Sequence, residues 1–236
     1  MKQIEVRPLV ATTDLVEAVR LQQEIWGFKD VELLPVRLFV VATKIGGQVF
    51  GAFEGHRMIG FLLAIPGMKP GGKSYLHSHM MGVLPEYRDR GIGRMLKEEQ
   101  KAEALKRGVS LIEWTFDPLE LKNAFFNLER LGAVMRRFNP NQYGTTTSHL
   151  HGGLPTDRCI AEWHIQRPRI EVPLQAEIEI PTKIAELRRT APEQAREIQK
   201  KASEQFLHCF QLGLAVVRFE RREETGAYLL GQWASE

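Results

Sequence analysis

The sequence predicts an α/β protein of the mixed α+β kind, with helices on both faces of a central mixed sheet and a small carboxy-terminal α/β subdomain. Three observations carry this expectation. Apolar residues recur at helical spacing in some segments and at strand spacing in others, in the order strand, two helices, three strands, helix, strand, helix, strand. The near-continuous apolar run Val109 to Phe116 has the composition of a strand buried on both faces. Beyond His151 the character shifts: Gly152-Gly153, Pro155, Pro168, Pro173 and Pro181 cut the chain into short pieces before one long helix. The expected domains are therefore 1–155 and a smaller unit over 156–236.

Each element has a local reason. Ile4 to Leu9 reads as a strand, and Thr13 offers a side-chain oxygen to cap a helix whose apolar face is Leu15, Val16, Val19 and Trp26. Gly27 is placed to end it. Pro35 suits the first turn of a second helix, Val36 to Ile45, with Gly46-Gly47 as its stop. Because Val36 to Val41 is rich in β-branched residues, a strand competes there. Val49 to Phe53 and Met58 to Ile65 read as strands joined by Glu54-Gly55-His56-Arg57. The glycine-rich Gly67 to Gly72 leads to a strand over Ser74 to Val83, a loop over Leu84 to Arg90, and a helix from Gly91 to Arg107 closed by Gly108. Leu121 to Leu131 predicts a helix ended by Gly132, and Ala133 to Phe138 a strand. In the carboxy-terminal part a helix is expected from Pro192 to Leu212, with Thr190 and Glu193 spaced as a capping box. Leu214 to Phe219 and Ala227 to Trp233 read as a closing hairpin.

Bulk composition excludes several function classes. The 236 residues are 43% hydrophobic and 26% charged, so disorder is not expected. A net charge of +3 suits an anionic small ligand but is too weak for nucleic acid, since no basic run with interleaved aromatics appears. Cys159 and Cys209 stand far apart without metal-ligand spacing, as reduced thiols in a reducing compartment do. Residues 1–9 lack a signal-peptide core, and the most apolar stretch, Met58 to Ile65, is too short to span a bilayer. The expectation is a cytoplasmic protein without membrane or nucleic-acid partners.

The most informative residues are Arg88-Asp89-Arg90-Gly91-Ile92-Gly93, between a strand and a helix. Two glycines one residue apart let the backbone approach a ligand without a β-carbon in the way. Loop N–H groups and the first helical turn make an anion nest, and Arg88 and Arg90 add charge, a combination suited to a pyrophosphate. A third glycine, needed for a dinucleotide fingerprint, and the Gly-Lys-Ser/Thr of a P-loop are both missing.

The wider stretch from Met81-Gly82-Val83-Leu84-Pro85 through Arg94-Met95-Leu96 closely resembles the CoA-binding motif of GCN5-related N-acetyltransferases (GNAT): apolar strand, Val-x-Pro, then Arg-x-x-Gly-x-Gly opening a helix. That resemblance implies the GNAT fold, with acetyl-CoA or another acyl-CoA as cosubstrate. It further implies that backbone near Met81, Gly82 and Val83 pairs with the pantetheine arm. Arg88, Asp89, Arg90, Gly91, Ile92, Gly93 and Arg94 would hold the pyrophosphate. Leu76 to Val83, Trp114 to Leu119, Asn123-Ala124, Leu131-Gly132-Ala133 and Gly153 to Arg158 resemble a bacterial branch of that family, some of whose members are associated with N-succinylamino-acid metabolism. Succinyl-CoA is accordingly an alternative donor to acetyl-CoA.

Acyl transfer to an amine needs a deprotonated amine and a stabilised leaving thiolate. Matched by motif spacing, the position of the base in some relatives falls here on His77, whose residue type titrates near neutral pH. His79 shares its face on a regular strand, whereas a bulge would change that parity. The alternative for both is a hydrogen-bonded pair of core histidines. His149-x-His151 repeats their spacing, yet without a defined third ligand no metal is expected. The family's tyrosine acid, matched from Gly132, falls on Leu128, which cannot donate a proton; Tyr143 is a substitute candidate, against the favoured alternative of a loop tyrosine that packs its ring. Asn123 and Asn127 are candidates to orient the thioester or hydrogen-bond CoA, the alternative for each being an exposed helix residue. Glu113 could bind a cationic amine, and Asp117 caps the turn before Pro118.

The expected reaction is direct attack by a primary amine, with a small-molecule acceptor favoured over a protein. A ping-pong route would need Cys159 or Cys209 beside a base. The competing readings are a CoA-binding module without catalysis and a histidine-ligated metal hydrolase. The carboxy-terminal part is a candidate to cover the acceptor site or to pair two copies as a homodimer.

Overall fold

The computed structural model describes residues 3–144, 154–169 and 171–234. Two compact units divide the chain, one built on Met1–Glu113 and the other on Trp114–Thr146 and Leu150–Glu236.

The first unit opens with strand β1 (Ile4–Pro8), helix α1 (Thr12–Trp26) and helix α2 (Val36–Lys44). A meander follows: β2 (Gln48–Glu54), β3 (Arg57–Met68) and β4 (Ser74–Val83). A 3-10 turn at Pro85–Tyr87 leads into α3 (Ile92–Lys106), and β5 (Leu111–Phe116) begins in this unit. Neighbours β1 to β4 pair antiparallel, and β5 joins β4 in parallel through Leu76–Ile112 and His77–Glu113, so the sheet is mixed. Over Val36 to Val41 the helix prevails over the strand, because it buries Phe39 and Ala42 at helical spacing.

Burial decides the packing. Leu15, Ala18, Leu21 and Ile25 of α1, Phe39 of α2, Ile92 and Leu96 of α3, and Phe61, Leu62 and Leu63 of β3 form one core. Burying one such side chain fully is worth about 1.5–3 kcal/mol. Gly82 is small because α1 presses on it: a Cβ there would lie 2.7 Å from the Trp26 ring.

Thr13 does not cap α1. Ala11 holds the N-cap position without a side-chain bond, and the expected cap falls inside the first turn. Gly27, at φ 67°, ends the helix as expected. β3 runs three residues past Ile65 because Pro66, Gly67 and Met68 still pair with Leu76, Tyr75 and Ser74.

The second unit has its own sheet order, β7-β6-β9-β10-β8, from β6 (Val134–Asn139), β7 (Arg158–His164), β8 (Leu174–Pro181), β9 (Leu214–Arg221) and β10 (Thr225–Gln232). Its helices are α4 (Leu121–Phe125), α5 (Ile184–Thr190) and α6 (Pro192–Gln211). The expected helix over Leu121 to Leu131 divides: α4 passes into a π-helical turn at Phe126–Arg130 before Gly132 stops it. Phe206 of α6 stacks on Phe138 and meets Tyr228 edge-on, and Tyr228 meets Phe219 edge-on, in one aromatic cluster. The expected capping box is not formed, because Thr190 ends α5 and its hydroxyl donates back to the Glu186 carbonyl.

Candidate active site

Strand β4 carries the first half of the site. Its register with β3 slips between Leu63 and Ala64, so Leu63 faces Met80, Ala64 faces Ser78, and His79 is the extra residue. The slip does not part the histidines: the His77 and His79 rings lie 5.8 Å apart. The reversal of parity falls after His79. Ser78 meets Lys97 of α3, whereas Gly82, four residues on, meets Trp26 and Ile25 of α1. The bulge thus turns the last residues of β4 over, and α1 and α3 cover opposite faces.

Electrostatics around the histidines differ from the expectation for an ordinary imidazole. Burial, aided by His79, Lys97 and Lys69, pulls His77 down to about 4, so at neutral pH it is an uncharged hydrogen-bond acceptor. The exposed His79 ring is also lowered, by partial desolvation. A proton taken from an alkylammonium would not rest on such a His77.

Nearby stand Lys69 and Tyr75, which the sequence did not single out, with Glu113, which it did. Lys69, on the β3–β4 connection, makes a 2.6 Å ion pair with the buried carboxylate of Glu113. Its ammonium lies 4.6 Å from the Tyr75 ring centroid. Glu113 is the parallel partner of His77 across β4–β5. Beneath β4, Lys97 is 2% exposed and hydrogen-bonds to Ser78 Oγ at 2.8 Å and Gln100 Oε1 at 3.0 Å. Burial drives its ammonium well below the ordinary lysine range. A sequence signal for Lys97 does exist: it and Gln100 interrupt the stripe Ile92, Leu96, Ala104 that α3 buries.

The second half of the site is the loop into α3. Gly91 is the N-cap at φ 79°, and Asp89 also takes a left-handed backbone at φ 61°, which a short polar side chain tolerates. The helix's first N–H groups consequently face outward with no intrahelical acceptor. Ile92 anchors the turn in the core at 1% exposure, and Gly93 follows within the first turn. Around them Arg88, Arg90 and Arg94 are exposed. Arg88 Nε donates to the Val83 carbonyl at 3.3 Å, Arg90 lies over the Tyr87 ring, and Arg94 reaches Glu98 at 3.8 Å. Met81, Gly82 and Val83 pair with Leu62, Phe61 and Gly60 of β3.

Tyr143 and Asn123 belong to the second unit. The Tyr143 hydroxyl hydrogen-bonds the Thr115 hydroxyl at 2.9 Å, with the Arg158 guanidinium 5.4 Å from its ring centroid. Thr156 and Asp157 hold the loop before it through Tyr143 N and Asn141 N. Asn123 is exposed on α4, Asn127 is buried, and Leu128 is wholly buried. Asp117 caps its turn by accepting from Leu119 N at 2.8 Å, and also pairs with Arg188 at 2.6 Å. Cys159 is buried, and burial together with Asp117 and Asp157 pushes its thiol well up, which disqualifies it as a nucleophile. His149 and His151 lie outside the described residues. Among the described residues no group of three or more His, Cys, Asp or Glu side chains is placed to hold a metal ion, and no helix is long and apolar enough to cross a membrane.

A mixed sheet, a bulged β4 and an arginine-flanked glycine turn opening α3 define a class, the acyl-CoA-dependent N-acyltransferases. Residues 15–132, half of the chain, match the model of the acetyltransferase (GNAT) family, and the chain belongs to that family. Solved structures share its fold. NAA60 of Arabidopsis thaliana in complex with acetyl-CoA matches at 17% identity and a TM-score of 0.57, over 70% of this chain and 100% of that one. The ribosomal-protein-S18-alanine N-acetyltransferase of Escherichia coli matches at 22% identity and TM-score 0.54, over 70% and 96%. YncA of Salmonella typhimurium with acetyl-CoA matches at 14% identity and TM-score 0.56, over 71% and 96%. No curated protein matches the sequence.

Proposed function

We propose that the protein moves an acetyl group from acetyl-CoA to the amino group of a small-molecule primary amine by direct attack. The observation that supports the cosubstrate site is the Arg88–Gly93 turn: its N-cap glycine sits at φ 79° at the head of α3, among exposed arginines. Backbone groups of this turn, with Arg88, Arg90 and Arg94, fit a pyrophosphate. In this reading Met81, Gly82 and Val83 supply backbone partners for the pantetheine arm.

In the reaction the amine nitrogen bonds to the thioester carbon, the carbon–sulfur bond breaks, and the thiolate leaves with a proton. His77, held neutral, orients the amine by accepting one N–H. The amine's proton passes to solvent, directly or past the exposed His79. The departing thiolate takes its proton from solvent. The acyl-CoA part is proposed to span residues 1–155, and residues 156–236 are proposed to pair two copies as a homodimer. The histidines serve the amine in this scheme and not a metal.

Thermal denaturation with CoA, acetyl-CoA and succinyl-CoA tests the reading. A ligand at a hundred times its dissociation constant adds about 2.7 kcal/mol, a shift of several degrees. The best stabiliser names the donor, and succinyl-CoA exceeding acetyl-CoA would reverse the choice made here. No shift with any of them at millimolar concentration would remove the cosubstrate site.

A further inference from the structure

The Lys69 ammonium is held as a foreign amine would be. Its carboxylate partner, Glu113, is a 3%-exposed acid on a central strand, 2.6 Å from the ammonium. Its aromatic partner is the Tyr75 ring, 4.6 Å away. Carboxylate and aromatic face are the two groups that recognise an alkylammonium, one by charge-assisted hydrogen bonding and one through the ring quadrupole. The ring's position is built in: a Cβ on Gly67, its cross-strand partner, would lie 2.4 Å from the Tyr75 ring. Only glycine leaves that space. Glu113 pairs across the strands with His77, and the Lys69 charge reaches the imidazole proposed to orient the amine.

The lysine arrives from a connection that is not itself part of the receptor. Lys69 follows the last residue of β3 in a turn closed by Gly72 N to the Lys69 carbonyl and Lys69 N to the Lys73 carbonyl, with Gly71 and Gly72 at φ 88° and 83°. The carboxylate and ring belong to strands; the cation belongs to the turn. Withdrawing a flexible side chain from such a turn leaves the sheet unchanged.

We infer that Glu113 and Tyr75 form the binding site for the acceptor's primary ammonium, and that Lys69 is its built-in occupant, displaced when substrate enters. This deepens the acyltransferase reading and rests on it for the identity of the ligand as the acceptor. The occupant excludes bulk cations from the carboxylate while no substrate is present, at the cost of competing with every amine.

The test is thermal denaturation of the full chain with n-butylammonium chloride, against tetramethylammonium chloride at equal concentration as a cation without N–H donors. Acetyl-CoA is titrated on the same samples. Lys69→Met vacates the site and is expected to bind n-butylammonium at least tenfold more tightly than wild type, by the strength of a hydrogen bond to a charged group. Lys69→Arg keeps a cation in place and should respond as wild type. Adding Glu113→Gln to Lys69→Met should abolish the gain, and tetramethylammonium, which lacks N–H donors, should stabilise Lys69→Met less than n-butylammonium does. The melting transitions themselves show that each variant folds. Equal butylammonium affinity in wild type and Lys69→Met overturns the inference, as does a gain that survives Glu113→Gln. An acetyl-CoA shift without the ammonium pattern removes this site alone. The ammonium pattern without an acetyl-CoA shift removes the acyltransferase reading and leaves the site.

Discussion

Lys97 of α3 hydrogen-bonds to the Ser78 hydroxyl of β4 over 2.8 Å, tying the helix that follows the glycine turn to the strand bulge that carries the histidines. Both residues are buried, and desolvation holds the Lys97 amine well below its ordinary range. The lowered value fixes a sign. Unfolded Lys97 binds a proton up to about pH 10.4, whereas the folded residue gives it up earlier. Between those two values stability rises with pH, by at most about 1.4 kcal/mol per pH unit. Wild type should therefore gain on Lys97→Met as pH goes from 7 to 10, in melting temperatures measured side by side. A difference independent of pH would mean that folded Lys97 keeps its proton.

His77 gives the second expectation. With its pKa pulled down to about 4, the folded protein leaves the ring neutral while the unfolded chain, near 6.5, protonates it. The stability this group contributes is complete above about 6.5 and is lost as pH falls toward 4. His77→Gln should flatten the acid side of the stability profile in that window. Direct observation is available from the imidazole carbon-bound protons by NMR, which should titrate near 4. Titration between 6 and 7 would restore His77 as an ordinary base.

These groups mark where sequence reading stops. Strand and helix placement was legible because local patterns and packing agree: Ser74 to Val83, Gly27 and Gly132 fall where alternation and helix-stop chemistry put them. The glycine turn was legible for the same reason, since Gly91 and Asp89 need a left-handed backbone whatever surrounds them. Thr13 and Thr190 misled, because a hydroxyl near a helix start has several backbone partners, and tertiary packing chooses among them. The depressed His77 value was not legible at all. It depends on burial and on Lys69 and Lys97, eight and twenty residues away, which only the folded sheet brings near. The pairing of Lys69 with Glu113 has the same origin, spanning 44 positions through the β4–β5 register.

The glycine turn supports a third measurement. Gly91→Ala must place a β-carbon at φ 79°, which costs about 1–2 kcal/mol in an L residue. Nothing stands within 4 Å of that Cβ, so the loss is backbone strain and not a clash. Urea denaturation should show that modest drop. Acetyl-CoA affinity should fall by tenfold or more, because the turn must reshape to relieve the strain. Arg88→Ala should weaken acetyl-CoA while leaving urea stability within about 0.5 kcal/mol, since the side chain is exposed. Gly91→Ala with unchanged acetyl-CoA affinity would place the pyrophosphate elsewhere.

The second unit has its own buried ion cluster, and its role there is structural. The Asp117 carboxylate accepts from Leu119 N at 2.8 Å and pairs with Arg188 at 2.6 Å, while Arg188 also reaches Glu120 at 2.8 Å. Asp117 and Arg188 are each less than 10% exposed. Removing one partner of such a pair leaves the other charge desolvated, at a cost of about 3–5 kcal/mol. Asp117→Asn keeps the turn-capping oxygen and loses the charge, so its loss isolates the ionic contribution. Urea denaturation should show it near that range, with acetyl-CoA affinity of the remaining folded protein unchanged. A small loss, under about 1 kcal/mol, would mean that Glu120 alone satisfies Arg188. A loss confined to acetyl-CoA affinity would move Asp117 from the scaffold into the site.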